Sequence, residues 1–92
     1  MMYGVYSMFD AKTGFLTPTV DINDDSAIRN FAHAVSNSDG ILYSFAQDFQ
    51  LYKIGTFDSD TAVIQQASPT VLLITGPDAI RLMTPSGGDS NG

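Results

Sequence analysis

The residues able to do chemistry fall in a few short runs. Asp21-Ile22-Asn23-Asp24-Asp25 sets oxygen ligands at alternate positions, the opening of a loop that wraps a hard cation such as calcium. The pattern then stops, because Ser26 stands where the loop needs glycine and Ala32 where it needs a bidentate glutamate. The same side chains are what a helix start uses, and N-capping is the preferred reading. Asp58-Ser59-Asp60 resembles a two-carboxylate cation site, but turn chemistry alone accounts for aspartates there. His33 is the only histidine and there is no cysteine or glutamate, so no common transition-metal set can be completed. A serine triad would need His33 and a nucleophile on a strained turn, yet no Gly-x-Ser-x-Gly run exists, and glycine-rich phosphate loops are missing as well. The sequence therefore predicts a non-enzyme with no catalytic residue, no metal site and no cofactor.

Recognition chemistry remains. Tyr3, Tyr6, Phe9, Phe49, Tyr52 and Phe57 occupy segments of strand character, and bases can stack on aromatic rings presented from a sheet. Lys53 beside Tyr52, and Lys12 in the first turn, could add phosphate contacts. The competing reading is a core plus an interface between copies. Along an alternating strand Phe49, Leu51 and Phe57 share one face and Tyr52 and Ile54 the other, so at least one set is core. Charge weighs against a large nucleic-acid footprint: ten aspartates and no glutamate face only Lys12, Arg29, Lys53 and Arg81, for a net charge of −6. Four cations neutralise at most about four phosphates, which sets a salt slope of about −3 or shallower for single strands. Aspartate favours caps and turns over helix interiors, so most of these acids read as structural punctuation.

The elements that must position these residues form one small domain. At 92 residues and 9.9 kDa the chain has room for one core, expected over residues 1–83, followed by a Gly- and Ser-rich tail over residues 84–92 expected to be disordered. Hydrophobic residues at 43% and charged residues at 15% exclude a charge-rich disordered chain. The longest apolar run, Val71-Leu72-Leu73-Ile74, is far short of the roughly 18–20 residues that cross a bilayer. The N-terminus lacks the basic and apolar regions of a signal peptide, and the expectation is a soluble protein made for the cytoplasm.

Tyr3–Phe9 reads as a strand, Asp10–Gly14 as a tight turn and Phe15–Val20 as the returning strand, with Pro18 ending it or placing it at an edge. Ile28, Phe31, Ala32 and Val35 fall at i, i+3, i+4 and i+7 and predict an amphipathic helix. Asn23, Asp24 and Asp25 mark its start, Asn37, Ser38 and Gly40 its stop, and Asp25 with Arg29 has the spacing of an exposed pair. The outward face carries Arg29, Asn30 and His33. Ile41–Phe45 is ambiguous between a strand and a helical turn. Phe49–Phe57, a turn at Asp58–Thr61 and Ala62–Gln66 read as a second hairpin, then Val71–Thr75 as a fifth strand and Asp78–Met83 as a short helix opened by Gly76 and Pro77. The β-β-α-β-β order predicts an α+β domain, an antiparallel sheet of four or five strands with one helix packed on one face. Sheet edges with few blocking charges predict a homo-oligomer.

Two segments carry a family likeness. Asn23-Asp-Asp-Ser-Ala-Ile-Arg-Asn-Phe31 and Asp48-Phe-Gln-Leu-Tyr-Lys-Ile-Gly-Thr-Phe-Asp58 resemble the small non-structural protein of gokushovirus-type microviruses, which are single-stranded DNA bacteriophages. There a strand leads to an Asn-Asp/Ala-x-Arg-x-Phe helix and then to an Asp-Phe-x-Leu-Tyr-x-Ile-Gly-x-Phe-Asp strand and turn. The likeness covers about Tyr3 to Ile64. It departs at Gln50 and Thr56, where acidic residues are common, and at Thr61-Ala62, where Thr-Gly is expected. The resemblance implies a non-structural phage protein of the host bacterial cytoplasm, commonly labelled DNA-binding, acting as an accessory in viral DNA replication or in the switch to genome packaging. Two readings follow. In one, an oligomer gathers Lys12, Arg29, Lys53 and Tyr52 around single-stranded DNA. In the other, an acidic homo-oligomer is an adaptor for a viral replication or host protein and touches no DNA. No membrane partner is expected. The arrangement that separates the readings is whether Lys12, Arg29 and Lys53 converge with Tyr52 on one exposed surface.

Overall fold

In the computed structural model, which describes residues 1–37 and 40–83, the chain opens with β1, Met2–Asp10. Its aromatic and β-branched residues suit a pleated surface packed on at least one side. Asp10 then builds the turn: one carboxylate oxygen accepts from the Lys12 backbone N–H at 2.9 Å and the other from the Thr13 hydroxyl at 3.1 Å. The expected returning strand over Phe15–Val20 is split in two. β2 spans Gly14–Phe15 and β3 spans Thr19–Asp21, both antiparallel to β1 with Phe9 opposite Phe15 and Val5 opposite Val20. Pro18 lies in the gap, where a residue without an N–H leaves the ladder.

Helix α1, Asp24–Ser36, starts at Asn23, whose side-chain oxygen accepts from the Ser26 N–H at 2.8 Å. Its buried stripe is Ala27, Phe31, Ala32 and Val35. Ile28, expected within that stripe, is half-buried at its margin. The ambiguous segment that follows is helical: α2 spans Ile41–Ser44, and a 3-10 turn spans Ala46–Asp48.

β4, Phe49–Asp58, is the strand expected there, and β5, Ile64–Thr75, merges two expected strands into one. The merger is possible because β5 swells rather than breaks. Gly55 is opposite Gln66 but Lys53 is opposite Val71, so residues 67–70 stand off the ladder as a bulge. Gly55 is required at that crossing, since a Cβ there would lie 2.5 Å from the Gln65 carbonyl oxygen. Helix α3, Gly76–Met83, follows directly. The Thr75 hydroxyl accepts from the Asp78 N–H at 3.2 Å, and Arg81 pairs with Asp78 one turn away.

The sheet runs β2-β1-β4-β5, with β3 beside β2 on the same side of β1 and every pairing antiparallel. Helices α1 and α3 pack together over one face. Tyr6, Phe49 and Leu51 from the sheet meet Ala27, Phe31, Ala32, Val35 and Ala79 from the helices, with Ala46 closing the cluster. Ala32, Val35 and Ala79 have no exposed surface, and the two alanines let the helices approach closely. The fold is thus the expected α+β domain, with the short helix expected at Asp78–Met83 present as α3 and packed beside α1, and with α2 added. Among the described residues no helix is long and apolar enough to cross a membrane. The tail expected to be disordered, residues 84–92, lies outside the described residues.

Candidate functional site

Alternation along β1 and β4 sorts the chemistry onto two faces. On the helix face Tyr6, 1% exposed, donates its hydroxyl to Asp24 Oδ1 at 2.7 Å, and Lys53 Nζ lies 3.2 Å from the same oxygen. Cross-strand pairing explains the meeting, because Tyr6 is opposite Lys53 in the β1–β4 ladder and both reach the first residue of α1. Burial pushes the Tyr6 phenol well above its ordinary value, with the hydrogen bond to Asp24 adding to the shift. The Tyr6 hydroxyl in turn holds the Asp24 carboxyl below its ordinary value against the opposing effect of burial, and Lys53 assists. Asp24 also carries negative charge at the positive end of the helix dipole. This triad joins the two central strands to the helix.

The opposite face of the sheet is aromatic. Phe9 and Phe15 meet edge to face at 4.9 Å, Phe15 and Tyr52 at 5.5 Å, and Phe9 and Tyr52 at 6.1 Å. Tyr52 also donates its hydroxyl to the Gln50 side-chain oxygen at 3.2 Å. Leu72, opposite Tyr52 on β5, extends this apolar surface, and both Phe15 and Leu72 are exposed. The ring planes are inclined by 60–79° to one another, so the cluster is a ridged aromatic platform, able to present the exposed Phe15 ring to a stacked base or to another apolar surface.

The four residues expected to contact nucleic acid do not come together within the chain. Tyr52 and Lys53 are neighbours in a strand and point to opposite faces, Tyr52 to the platform and Lys53 to Asp24. Arg29 is exposed on α1, in a shallow depression shared with Asp21, Asn30, His33 and Met83, and among the described residues it forms no ion pair with Asp25. Lys12 is exposed in the turn beyond Phe9 and Phe15, so of the three cations it alone stands at the end of the platform.

The acidic runs are occupied by structure. In the calcium-like run Asn23 caps α1, Asp24 holds Tyr6 and Lys53, and Asp21 accepts from the Asn30 amide at 2.7 Å. At the second hairpin Asp58 accepts from the Asp60 N–H at 2.9 Å, and the chain's amino terminus lies 3.0 Å from Asp60 and 3.8 Å from Asp58. The Asp58 carboxyl is held below its ordinary value first by the Asp60 N–H. His33 is exposed, its ring nitrogen 3.1 Å from the Asn37 amide. Among the described residues no three His or carboxylate side chains converge as metal ligands would.

Sequence reasoning missed two parts of this arrangement. Phe15 completes the platform although it stood outside the aromatic set, and its strand signal was weakened by Pro18 three residues on. Asp24 was assigned to the helix start alone. Its bonds to Tyr6 and Lys53 depend on the β1–β4 register, which no local pattern displays.

An open cleft of about 820 Å³ lies between α1 and the β1–β3 arm, with Tyr6, Met8 and Leu51 on its floor and Ala27 and Phe31 on its wall. It carries few polar groups, the Asp21–Asn30 pair at its mouth being one. That inventory offers shape without a reactive group.

The model of a family described as Phage ORF5 protein matches residues 3–79 of this chain. No curated protein and no solved structure matches it. The match runs from the second residue of β1 through β5 into the first turn of α3, and the chain belongs to the Phage ORF5 protein family.

Proposed function

We propose that this member of the Phage ORF5 protein family is a non-structural accessory protein of a single-stranded DNA phage of the microvirus type. It acts in the host cytoplasm, in viral DNA replication or the switch to genome packaging, as a homo-oligomer that holds a viral or host protein and catalyses no reaction. The observation that carries the choice of a protein partner is the placement of Lys53. The lysine best set by sequence for a phosphate is engaged with Asp24, on the face away from Tyr52. With Arg29 and Lys12 elsewhere, a protomer of net charge −6 offers no cationic track for a strand to follow.

The aromatic platform supports a second reading, single-stranded DNA bound by stacking. Each base stacked on an exposed ring such as Phe15 would contribute about 1–3 kcal/mol, and Lys12 stands at the platform's end. Fluorescence anisotropy of a labelled single-stranded oligonucleotide, titrated at low and moderate salt with the oligomer mass recorded by light scattering, separates the two. The protein-adaptor reading expects no binding at low salt, where phosphate contacts are strongest. Micromolar or tighter binding that weakens with salt and is lost on Phe15→Ala or Lys12→Ala would overturn it in favour of DNA.

A further inference from the structure

The two edges of the sheet differ in kind. Beside β1 the edge is made of β2 and β3, two and three residues long and interrupted at Pro18. Short, broken strands blunt an edge against pairing. At the other edge β5 runs for 12 residues and, among the described residues, pairs on one side only, with β4. Its outward N–H and C=O groups form a template for one more strand.

The chemistry of that edge is also unlike the rest of the chain. From Thr61 to Pro77 there is no charged residue, although the chain as a whole carries −6. Two copies meeting here bring the least like charge together, whereas contact through α1 or the turns would oppose aspartates to aspartates. Natural edge strands are commonly guarded by lysine or an inward-pointing charge. β5 has neither, and its Ile64, Val71 and Leu72 are 71%, 48% and 46% exposed. Pro69 removes one N–H, but it sits within residues 67–70, which stand off the ladder. The stretches 64–66 and 71–75 on either side pair with β4, the second with a one-residue shift at Leu73, between the Leu51–Ile74 and Tyr52–Leu72 pairs. The molecule measures 49 × 29 × 22 Å, and among its described residues no further strand pairs with this edge.

We propose that β5 pairs antiparallel with β5 of a second copy, joining two sheets into one across a twofold axis. The proposal rests on the homo-oligomer reading above and names the surface that builds it. Antiparallel pairing of a strand with its own copy is self-complementary, each residue meeting its counterpart's partner in turn, so the assembly closes at two. The aromatic platforms of the two protomers then lie on one continuous sheet.

The test is the mass of the full chain in solution at tens of micromolar, by light scattering. Wild type is expected at twice 9.9 kDa. A variant carrying Ile64→Lys and Val71→Lys is expected at the protomer mass with an unchanged far-UV circular dichroism spectrum, its dimer dissociation constant raised at least tenfold. Val20→Lys, on the blunted edge, is expected to leave the dimer intact. Because the chain has no cysteine, single cysteines placed along residues 64–75 in the otherwise wild-type background give a second readout that does not depend on the lysine variant folding. A copy-to-copy disulfide is expected only where the cysteine sits at or next to the twofold axis, because an antiparallel strand faces its own counterpart there alone. A dimer that survives both lysines and forms no disulfide through β5 overturns the edge and leaves the homo-oligomer standing. A monomeric wild type overturns both.

Discussion

Tyr6→Phe removes one hydroxyl from the centre of the fold and tests whether the triad with Asp24 and Lys53 holds the helix to the sheet. The deleted bond is 2.7 Å long and ends on a carboxylate. Hydrogen bonds to charged groups contribute about 1.5–3 kcal/mol, and the Asp24 side chain is 45% exposed, so water recovers part of the loss and about 1–1.5 kcal/mol is expected. For a domain this size that lowers Tm by about 4–12 °C. The pH dependence gives the finer check. The folded-state pKa of Asp24 is depressed, chiefly by the Tyr6 hydroxyl, so its contribution is complete above the ordinary value of 3.8 and is lost as pH falls through the lower folded value. The gap between wild type and Tyr6→Phe should be full from pH 5 to 7 and narrow below about pH 4. On the alkaline side the raised Tyr6 pKa makes its contribution complete below 10.0 and progressively lost as pH climbs beyond it. That alkaline loss should be reduced in the variant. Thermal melts followed by circular dichroism at pH 3, 5, 7 and 10.5 measure all of this. A variant within about 0.3 kcal/mol of wild type at pH 7, or a gap that persists unchanged at pH 3, would refute the reasoning.

Substitutions at three further positions probe other joints of the structure. Gly4→Ala should destabilise by about 1–3 kcal/mol in denaturant titration, because the added Cβ would overlap the buried Tyr6 ring, and coupling to Tyr6→Phe in a double-mutant cycle should be measurable. Asn23→Ala removes the cap of α1 and should cost about 1 kcal/mol, while Asn23→Asp should cost little, as both cap well. Phe15→Ala should cost about 0.5–1.5 kcal/mol of edge-to-face contact with Phe9 and Tyr52; the near-ultraviolet tyrosine signal should change while the far-ultraviolet spectrum does not.

Much of the local structure was legible because the signals are local. The Ile28–Val35 periodicity and the Asn23 cap lie within a few turns of each other, and they located α1 to within a residue at its start. The aromatic strand Phe49–Phe57 needed only alternation. The errors fall where a distant partner decides. Val71–Thr75 and Ala62–Gln66 looked like separate strands because residues 67–70 break the pattern, and β4 alone carries the ladder past them. Ile28 fits the helical stripe, yet α3 and the sheet meet α1 slightly to the other side, at Ala27.

The functional expectations divide in the same way. Composition by itself determined that the chain is acidic, lacks cysteine and has too few cations for an extensive phosphate-binding surface, since charge and residue type do not depend on folding. Adjacency in sequence made Tyr52 and Lys53 look like a stacking ring with its phosphate contact. Only the tertiary structure places the two side chains on opposite faces. A strand turns successive side chains to opposite faces, the β1–β4 register brings Tyr6 to Lys53, and the start of α1 supplies the carboxylate that engages both. Which residues alternate is written in the chain, but what waits on each face is set by segments brought together from far along it.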